Sequence, residues 1–386
     1  MNVRKVQDCE SGKDGLIKLV YTFFNVKLKR FLNLPPKEIP FIIMYLSKRC
    51  NSRCKMCDQW KTDEKTIEKE ISTRNWLRII DSITKLKPIM IVFTGGEPLA
   101  RPDIFKIIAH LQKKDIRYHL CTNGTLINKS TLSMLKTYPP SSISVSLDGD
   151  NAKIHDELRG LDCFNTVLDG IRLLKRELPT TRVGINFLLC KKNFKNMTRM
   201  VTFAKGLGAD RLNLQPIHTN LLHKDKALES FDGLLFLEQD ISELRMELRK
   251  FRNVAARLGL KTNSARFLDK IPRLYDSSRK NNRDCHAGYV SIVIDPFGRV
   301  APCANMDGMP CIHRDKVRDF RALMASPGYA LLRKKVRICQ ASCWDTFNGE
   351  LRLRFSIANI PLSSMNWLKD RKYYLGTAKR SGKGSQ

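Results

Sequence analysis

The chain has 386 residues, 42% of them hydrophobic and 28% charged, which excludes wholesale disorder and predicts one large packed core with an appendage. Its 69 Lys and Arg against 38 Asp and Glu give a formal charge of +31, a balance that serves either solubility or an anionic partner such as a phospholipid surface, an acidic redox protein or nucleic acid. No run is long and apolar enough to span a bilayer, and the N-terminus lacks the layout of a secretory signal. Its 12 cysteines therefore argue for reduced thiols, metal ligation and a cytoplasmic location.

Residues 16–32 set Leu16, Val20, Phe23, Phe24 and Phe31 against Lys18, Lys27, Lys29 and Arg30, the pattern of a basic amphipathic helix that Pro35 and Pro36 end. It either docks on the body of the protein or lies peripherally on an anionic membrane. Strand-like runs follow at 41–47, 89–95, 116–124, 142–149, 182–190 and 211–217, with helical runs between them at 72–86, 102–114, 129–137, 165–178 and 194–207. This alternation predicts βαβ units and a parallel sheet, closed as a partial barrel or open and doubly wound. A long helical stretch and a basic connector occupy 218–284, cysteines cluster from Cys285 to Cys343, and the remainder is basic. The expected divisions are an N-terminal segment 1–36, an α/β domain 37–232, a helical linker 233–284, a cysteine-rich module 285–346 and a tail 347–386.

The first cysteine group, Cys50-Asn51-Ser52-Arg53-Cys54-Lys55-Met56-Cys57, directly follows a strand. Three thiolates in one polar loop can wrap a corner of a [4Fe–4S] cubane and leave the fourth iron open to a chelating ligand. A zinc site would want a second close pair or nearby histidines, and none follows within about fifty residues. Thr94-Gly95-Gly96-Glu97-Pro98 ends the next strand; its glycines permit close backbone approach and its carboxylate can receive an ammonium group.

CxxxCxxC after the first strand and GGEP after the second resemble the radical S-adenosylmethionine (SAM) superfamily, and the resemblance runs over residues 41–217. It implies an α/β fold, a partial (β/α)6 barrel, with the amino and carboxylate groups of SAM on the open iron. It implies that Gly95, Gly96 and Glu97 hold the methionyl ammonium, and that the strand-end residues Asn123, Ser146 and Asp148 face SAM. The stretch His155–Gly160 resembles an HDxxRG segment in which Arg159 pairs with the SAM carboxylate; for His155 and Asp156 a helix-capping turn is the alternative.

The later cysteines resemble the auxiliary-cluster modules called SPASM and, in their one-cluster form, twitch. That resemblance implies a small α+β module in which Cys285, Cys303, Cys339 and Cys343 hold one further [4Fe–4S] cluster, with Cys311 the rival ligand and a structural zinc the rival metal. A hairpin turning at Pro296–Gly298 is expected to return Cys303 to Cys285. Cys121, Cys163 and Cys190 read as buried and inert; Cys9 and the scattered histidines suggest no site.

The implied reaction is reductive cleavage of SAM to a 5′-deoxyadenosyl radical that abstracts hydrogen from a substrate, with a one-electron donor such as flavodoxin or ferredoxin. Oxidation of a small anionic molecule, whether a sugar, an alcohol or a lipid-linked compound, is the first expectation. Peptide modification by a maturase is the alternative, and a nucleic-acid-binding metalloprotein is the rival from another class.

Overall fold

The computed structural model describes residues 23–217, 231, 233–275, 284–313, 316–339 and 344–354. Six parallel strands, β1 (Phe41–Tyr45), β2 (Met90–Thr94), β3 (Tyr118–Thr122), β4 (Ser142–Ser146), β5 (Arg182–Leu189) and β6 (Arg211–Pro216), pair in chain order. Helices Thr73–Ile83, Ile104–Lys113, Lys129–Thr137, Phe164–Glu177 and Met197–Gly206 alternate with them. Ser72 and Asn128 cap the first and third of these by accepting the N–H of Asn75 and Thr131.

The sheet continues past β1. Strand β7 (Ser291–Ile294) runs parallel to β1, from Phe41 opposite Ser291 to Met44 opposite Ile294, and antiparallel β8 (Arg299–Ala301) and β9 (Met309–Pro310) follow. The hairpin that turns at Pro296–Gly298 is thus an extension of the same sheet that carries the first cysteine group.

Period-two alternation divides the sheet into two unlike faces. Ile42, Met44, Ile91, Phe93, Leu120, Ile143, Val145, Val183, Ile185, Phe187 and Leu212 belong to one continuous core with the buried faces of the helices. The registers place Tyr45, Thr94, Cys121, Ser144 and Gly184 across neighbouring strands on the other face, with Ser146, Asn186 and Asn213 in the next row. A parallel sheet buried on both faces would be apolar on both. The polar inner face departs from that rule and offers hydrogen-bonding groups along the strand ends.

Residues 346–348 reach both of the sheet's outer parallel strands, β6 and β7. Thr346 N–H donates to Gln215 Oε1 of β6 at 3.0 Å, Ser291 Oγ of β7 lies 3.3 Å from Asn348 Oδ1, and Phe347 meets Phe41 edge-on at 5.2 Å. Trp344 anchors this strap, stacked on Phe267 with its indole N–H on the Phe267 carbonyl at 2.9 Å.

Of the amphipathic stretch, residues 23–31 are described and helical. They dock on the protein: Lys27 pairs with Asp284 at 2.9 Å, and Arg30 Nε donates to the Cys285 carbonyl at 2.7 Å. Two of the basic residues of this stretch, Lys27 and Arg30, are engaged in the contact, which favours the docking alternative. Among the described residues no helix is long and apolar enough to cross a membrane. Residues 16–22, Cys9, Cys343 and the tail beyond 354 lie outside the described residues.

Candidate active site at the strand ends

Past the end of β1 the chain stays laid along the loop that leaves β2. Gly96 N–H donates to the Ser47 carbonyl at 2.7 Å and Glu97 N–H to that of Arg49 at 2.8 Å. A Cβ on Gly95 would stand 2.5 Å from Ser47 O, and one on Gly96 would stand 2.2 Å from Arg49 O. The close approach that these glycines permit is therefore to the root of the cysteine loop itself.

Both flanks of that loop are tied down. Asn123, after β3, donates from Nδ2 to Asn51 Oδ1 at 2.8 Å and to Ser52 Oγ at 3.0 Å. On the other side Arg53 and Lys55 donate their N–H groups to the carbonyls of Arg159 and Leu158, the last turn of helix Ala152–Arg159. Gly160 ends that helix at φ +60, and a Cβ there would reach within 2.3 Å of Arg53 O. Cys54 and Met56 pack with Leu158, Cys190, Ile217 and Leu234 in a small apolar cluster that keeps the loop's base dry.

The three thiols suit a metal. Burial pushes the Cys50 thiol up to about 12, and the charges of Cys54, Glu97 and Cys57 push in the same direction; burial raises Cys57 as well. The Cys50 and Cys57 thiols, which burial keeps from ionising alone, would be stabilised as thiolates by a cationic cluster, and with Cys54 in the same loop the donor set fits a cluster held by three cysteines.

Glu97 is almost fully buried. Oε1 accepts from Leu99 N–H at 3.0 Å and Thr122 Oγ1 at 2.9 Å, and Oε2 accepts from Asn123 N–H at 2.6 Å. Burial pushes its carboxyl up to about 7 despite these donors. A cationic ammonium is the partner such a carboxylate favours.

Asp148 has no exposure, and its carboxylate is engaged within the protein: Oδ1 accepts from Leu188 N–H at 2.8 Å and Oδ2 lies 2.7 Å from Arg159 Nε. Arg159 Nη1 in turn lies 3.7 Å from Cys54 Sγ. The partners found for Arg159 are thus a carboxylate and a sulfur of the chain itself. Ser146 stands half-buried at the end of β4, opposite Asn186. His155, Asp156 and Cys163 bring ligand atoms within 4.8 Å of one another, yet Asp156 Oδ1 already accepts the N–H groups of Cys163 and Phe164. That is the capping alternative, at the start of helix Phe164–Glu177.

In the second group, burial pushes the Cys303 thiol up to about 12, and Cys285, Asp345 and Cys339 add to it; burial likewise raises Cys285, with Asp345 and Cys339 contributing. Cys285, Cys303 and Cys339 are each half-buried, whereas Cys311 is fully buried in the main core and feels Asp295 and Arg318 instead. Cys343, the fourth expected ligand, is outside the described residues. Cys121 departs from its expected burial: it is half-buried, because β3 places it on the polar inner face.

Three structural features were not evident from the motifs: the Asn51–Ser52–Asn123 tie, the Asp148–Arg159–Cys54 contact and the strap around Asp345. A helix from Asn151 to Gly160 was available from the N-cap asparagine and the glycine eight residues after the helix begins. Long-range partners leave no comparable local mark.

Residues 44–204 match the model described as Radical SAM superfamily, so the chain carries a radical SAM domain. Proteins of this class bind SAM and a [4Fe–4S] cluster. Among curated relatives, an AdoMet-dependent heme synthase of Methanosarcina barkeri is 33% identical over 166 residues, 42% of this chain and 46% of that one. The antilisterial bacteriocin subtilosin biosynthesis protein AlbA of Bacillus subtilis is 28% identical over 266 residues, 67% of this chain and 53% of that one. The chain therefore spans about half the length of these two relatives. A PqqA peptide cyclase of Granulibacter bethesdensis is 25% identical over 286 residues, 72% of this chain and 71% of that one. In structure the chain resembles Streptococcus suis SuiB bound to its precursor peptide SuiA, with a TM-score of 0.61 at 16% identity over 85% of this chain and 73% of that one, which establishes a shared fold. The relatives' own names thus include a heme synthase as well as proteins of bacteriocin biosynthesis and peptide cyclisation.

Proposed function

We propose that the chain is a radical SAM enzyme that modifies a peptide, with SAM bound beside Cys50, Cys54 and Cys57 and a second cluster near Cys285, Cys303 and Cys339. The observation that carries the peptide reading is the extent of the sequence matches. Similarity to the heme synthase stops at 166 residues, about the size of the barrel domain, whereas similarity to the bacteriocin protein and the peptide cyclase runs over 266 and 286 residues. Both of the longer matches exceed the stretch 44–204 that the family model covers.

When bound, the cluster and SAM supply one-electron cleavage of SAM and a radical able to take hydrogen from an unactivated C–H bond. The chain's own residues do the rest. Glu97 accepts the methionyl ammonium, and its bonds to Thr122 and Asn123 fix the loop after β3 beside it. The polar inner face, with Ser144, Asn186 and Asn213, offers hydrogen bonds to a substrate backbone, and the strap at 344–348 restricts water from the side of β6 and β7. Two donors fit the strong basic charge as electron source, flavodoxin or ferredoxin, since both are acidic redox proteins.

Anaerobic turnover with SAM and reductant, against short peptides encoded beside the gene and against a porphyrin, tests the assignment. A peptide that stimulates 5′-deoxyadenosine formation and changes mass supports it. Stimulation by the porphyrin alone would return the function to small-molecule chemistry.

A further inference from the structure

We propose that the Asp148–Arg159 pair, its carboxylate fully buried, sets the reduction potential of the cluster ligated by Cys54, Arg159 raising it and Asp148 opposing that effect. This rests on the reading that Cys50, Cys54 and Cys57 hold a four-iron cluster.

Arg159 spans the space between a carboxylate and a cluster-ligand sulfur, with Nε 2.7 Å from Asp148 Oδ2 and Nη1 3.7 Å from Cys54 Sγ. Neither end can drift. The Arg159 carbonyl accepts Arg53 N–H at 3.1 Å and the Leu158 carbonyl accepts Lys55 N–H at 3.0 Å, so guanidinium and sulfur are fixed across one short ladder. Asp148 is held from three further directions: Leu188 N–H on Oδ1 at 2.8 Å, Asn193 Nδ2 on its carbonyl at 3.1 Å, and its own N–H donated to His155 Nδ1 at 3.1 Å. His155 is itself fully buried, its Nε2 lying 3.5 Å from Cys163 Sγ. Such a supported pair exceeds what helix capping requires.

Hydrogen bonds to cluster sulfurs and nearby charge are main determinants of iron–sulfur potentials. Reduction adds one electron to the cluster. A donor and a positive charge at Cys54 stabilise the reduced form, and a buried carboxylate destabilises it. The two partners therefore act with opposite sign on one quantity, which a purely architectural role would not do. A guanidinium that served only to pair with the SAM carboxylate would leave the potential without SAM unmoved.

The test is potentiometry followed by EPR on the reconstituted, SAM-free enzyme, reading the signal that SAM perturbs. Arg159→Gln is expected to lower, and Asp148→Asn to raise, the ratio of reduced to oxidised cluster at fixed potential by about tenfold, equivalent to about 59 mV for one electron. Arg159→Lys keeps the charge without the fork and should fall between wild type and Arg159→Gln; it carries the test if the glutamine variant loses iron. Potentials that stay put, or that move in the same direction in the Arg159 and Asp148 variants, overturn the proposal alone. A wild-type protein with no SAM-responsive signal overturns the cluster assignment and this inference with it.

Discussion

Glu97 is the residue at which charge, burial and expected ligand meet. Its carboxyl is raised to about 7 from an ordinary 4.5, so the folded protein holds a proton there that the unfolded chain gives up. Its contribution to stability is thus fullest at low pH and is lost as pH rises from about 4.5 to about 7. Thermal denaturation across that window should show a decline in the ligand-free protein that Glu97→Gln lacks. SAM affinity should run the other way, strengthening up to about pH 7 as the carboxylate ionises. Glu97→Ala should keep its iron and bind SAM about ten- to a hundredfold more weakly, the worth of one charge-assisted hydrogen bond of about 1.5–3 kcal/mol; an unchanged Kd from titration would count against the role. Gly96 makes a separate prediction. A Cβ there would meet Arg49 O at 2.2 Å, so Gly96→Ala should cost about 1–3 kcal/mol and lower iron occupancy by displacing the cysteine loop, measured by denaturation and iron analysis.

At the level of elements, the six barrel strands and their helices were legible because each obeys a local rule. Strand β4, with Ser142, Ser144 and Ser146 alternating with Ile143 and Val145, shows both its span and its two faces in five residues. The helix Lys129–Thr137 begins after its asparagine cap as the pattern predicts. Partners far apart in sequence were not legible. Nothing local to Ser291 says that β7 adds to β1, and nothing local to Trp344 says that it stacks on Phe267. For the site, residue types and spacing identified the cysteine loop and Glu97. That Arg159 lies against Asp148 and Cys54 depends on how the helix Ala152–Arg159 packs on that loop. The strap gives this scale its prediction. Trp344→Ala removes a buried stacked ring and its hydrogen bond, and should destabilise the protein by about 3–5 kcal/mol. Hydrogen exchange should then rise in β6 and β7, the strands that residues 346–348 join; protection unchanged there would mean that the strap is incidental.

Over the whole molecule, one sheet connects two cysteine groups. The first hangs from β1 and β2, and the second gathers around the β7–β8 hairpin alongside β1. Tyr45, the last residue of β1, feels both: burial raises its phenol, and Asp345, Cys121, Cys303 and Cys57 add to the effect. On the proposed reading, a substrate on the inner face would lie between the two cysteine groups, placed for hydrogen abstraction at one and electron removal at the other. Iron analysis after anaerobic reconstitution should approach about eight atoms per chain, two four-iron clusters, and about half of that when Cys50, Cys54 and Cys57 are replaced by alanine. Replacing Cys311 should leave the iron content unchanged, since its thiol is buried in the main core, where the charges it feels are those of Asp295 and Arg318. The most direct test of the central claim is the EPR spectrum of the reduced protein with and without SAM. The account predicts a [4Fe–4S]⁺ signal that SAM alters, lost together with 5′-deoxyadenosine formation in the variant lacking Cys50, Cys54 and Cys57. A variant without these three thiols that still shows the SAM-responsive signal, or still cleaves SAM, would contradict it.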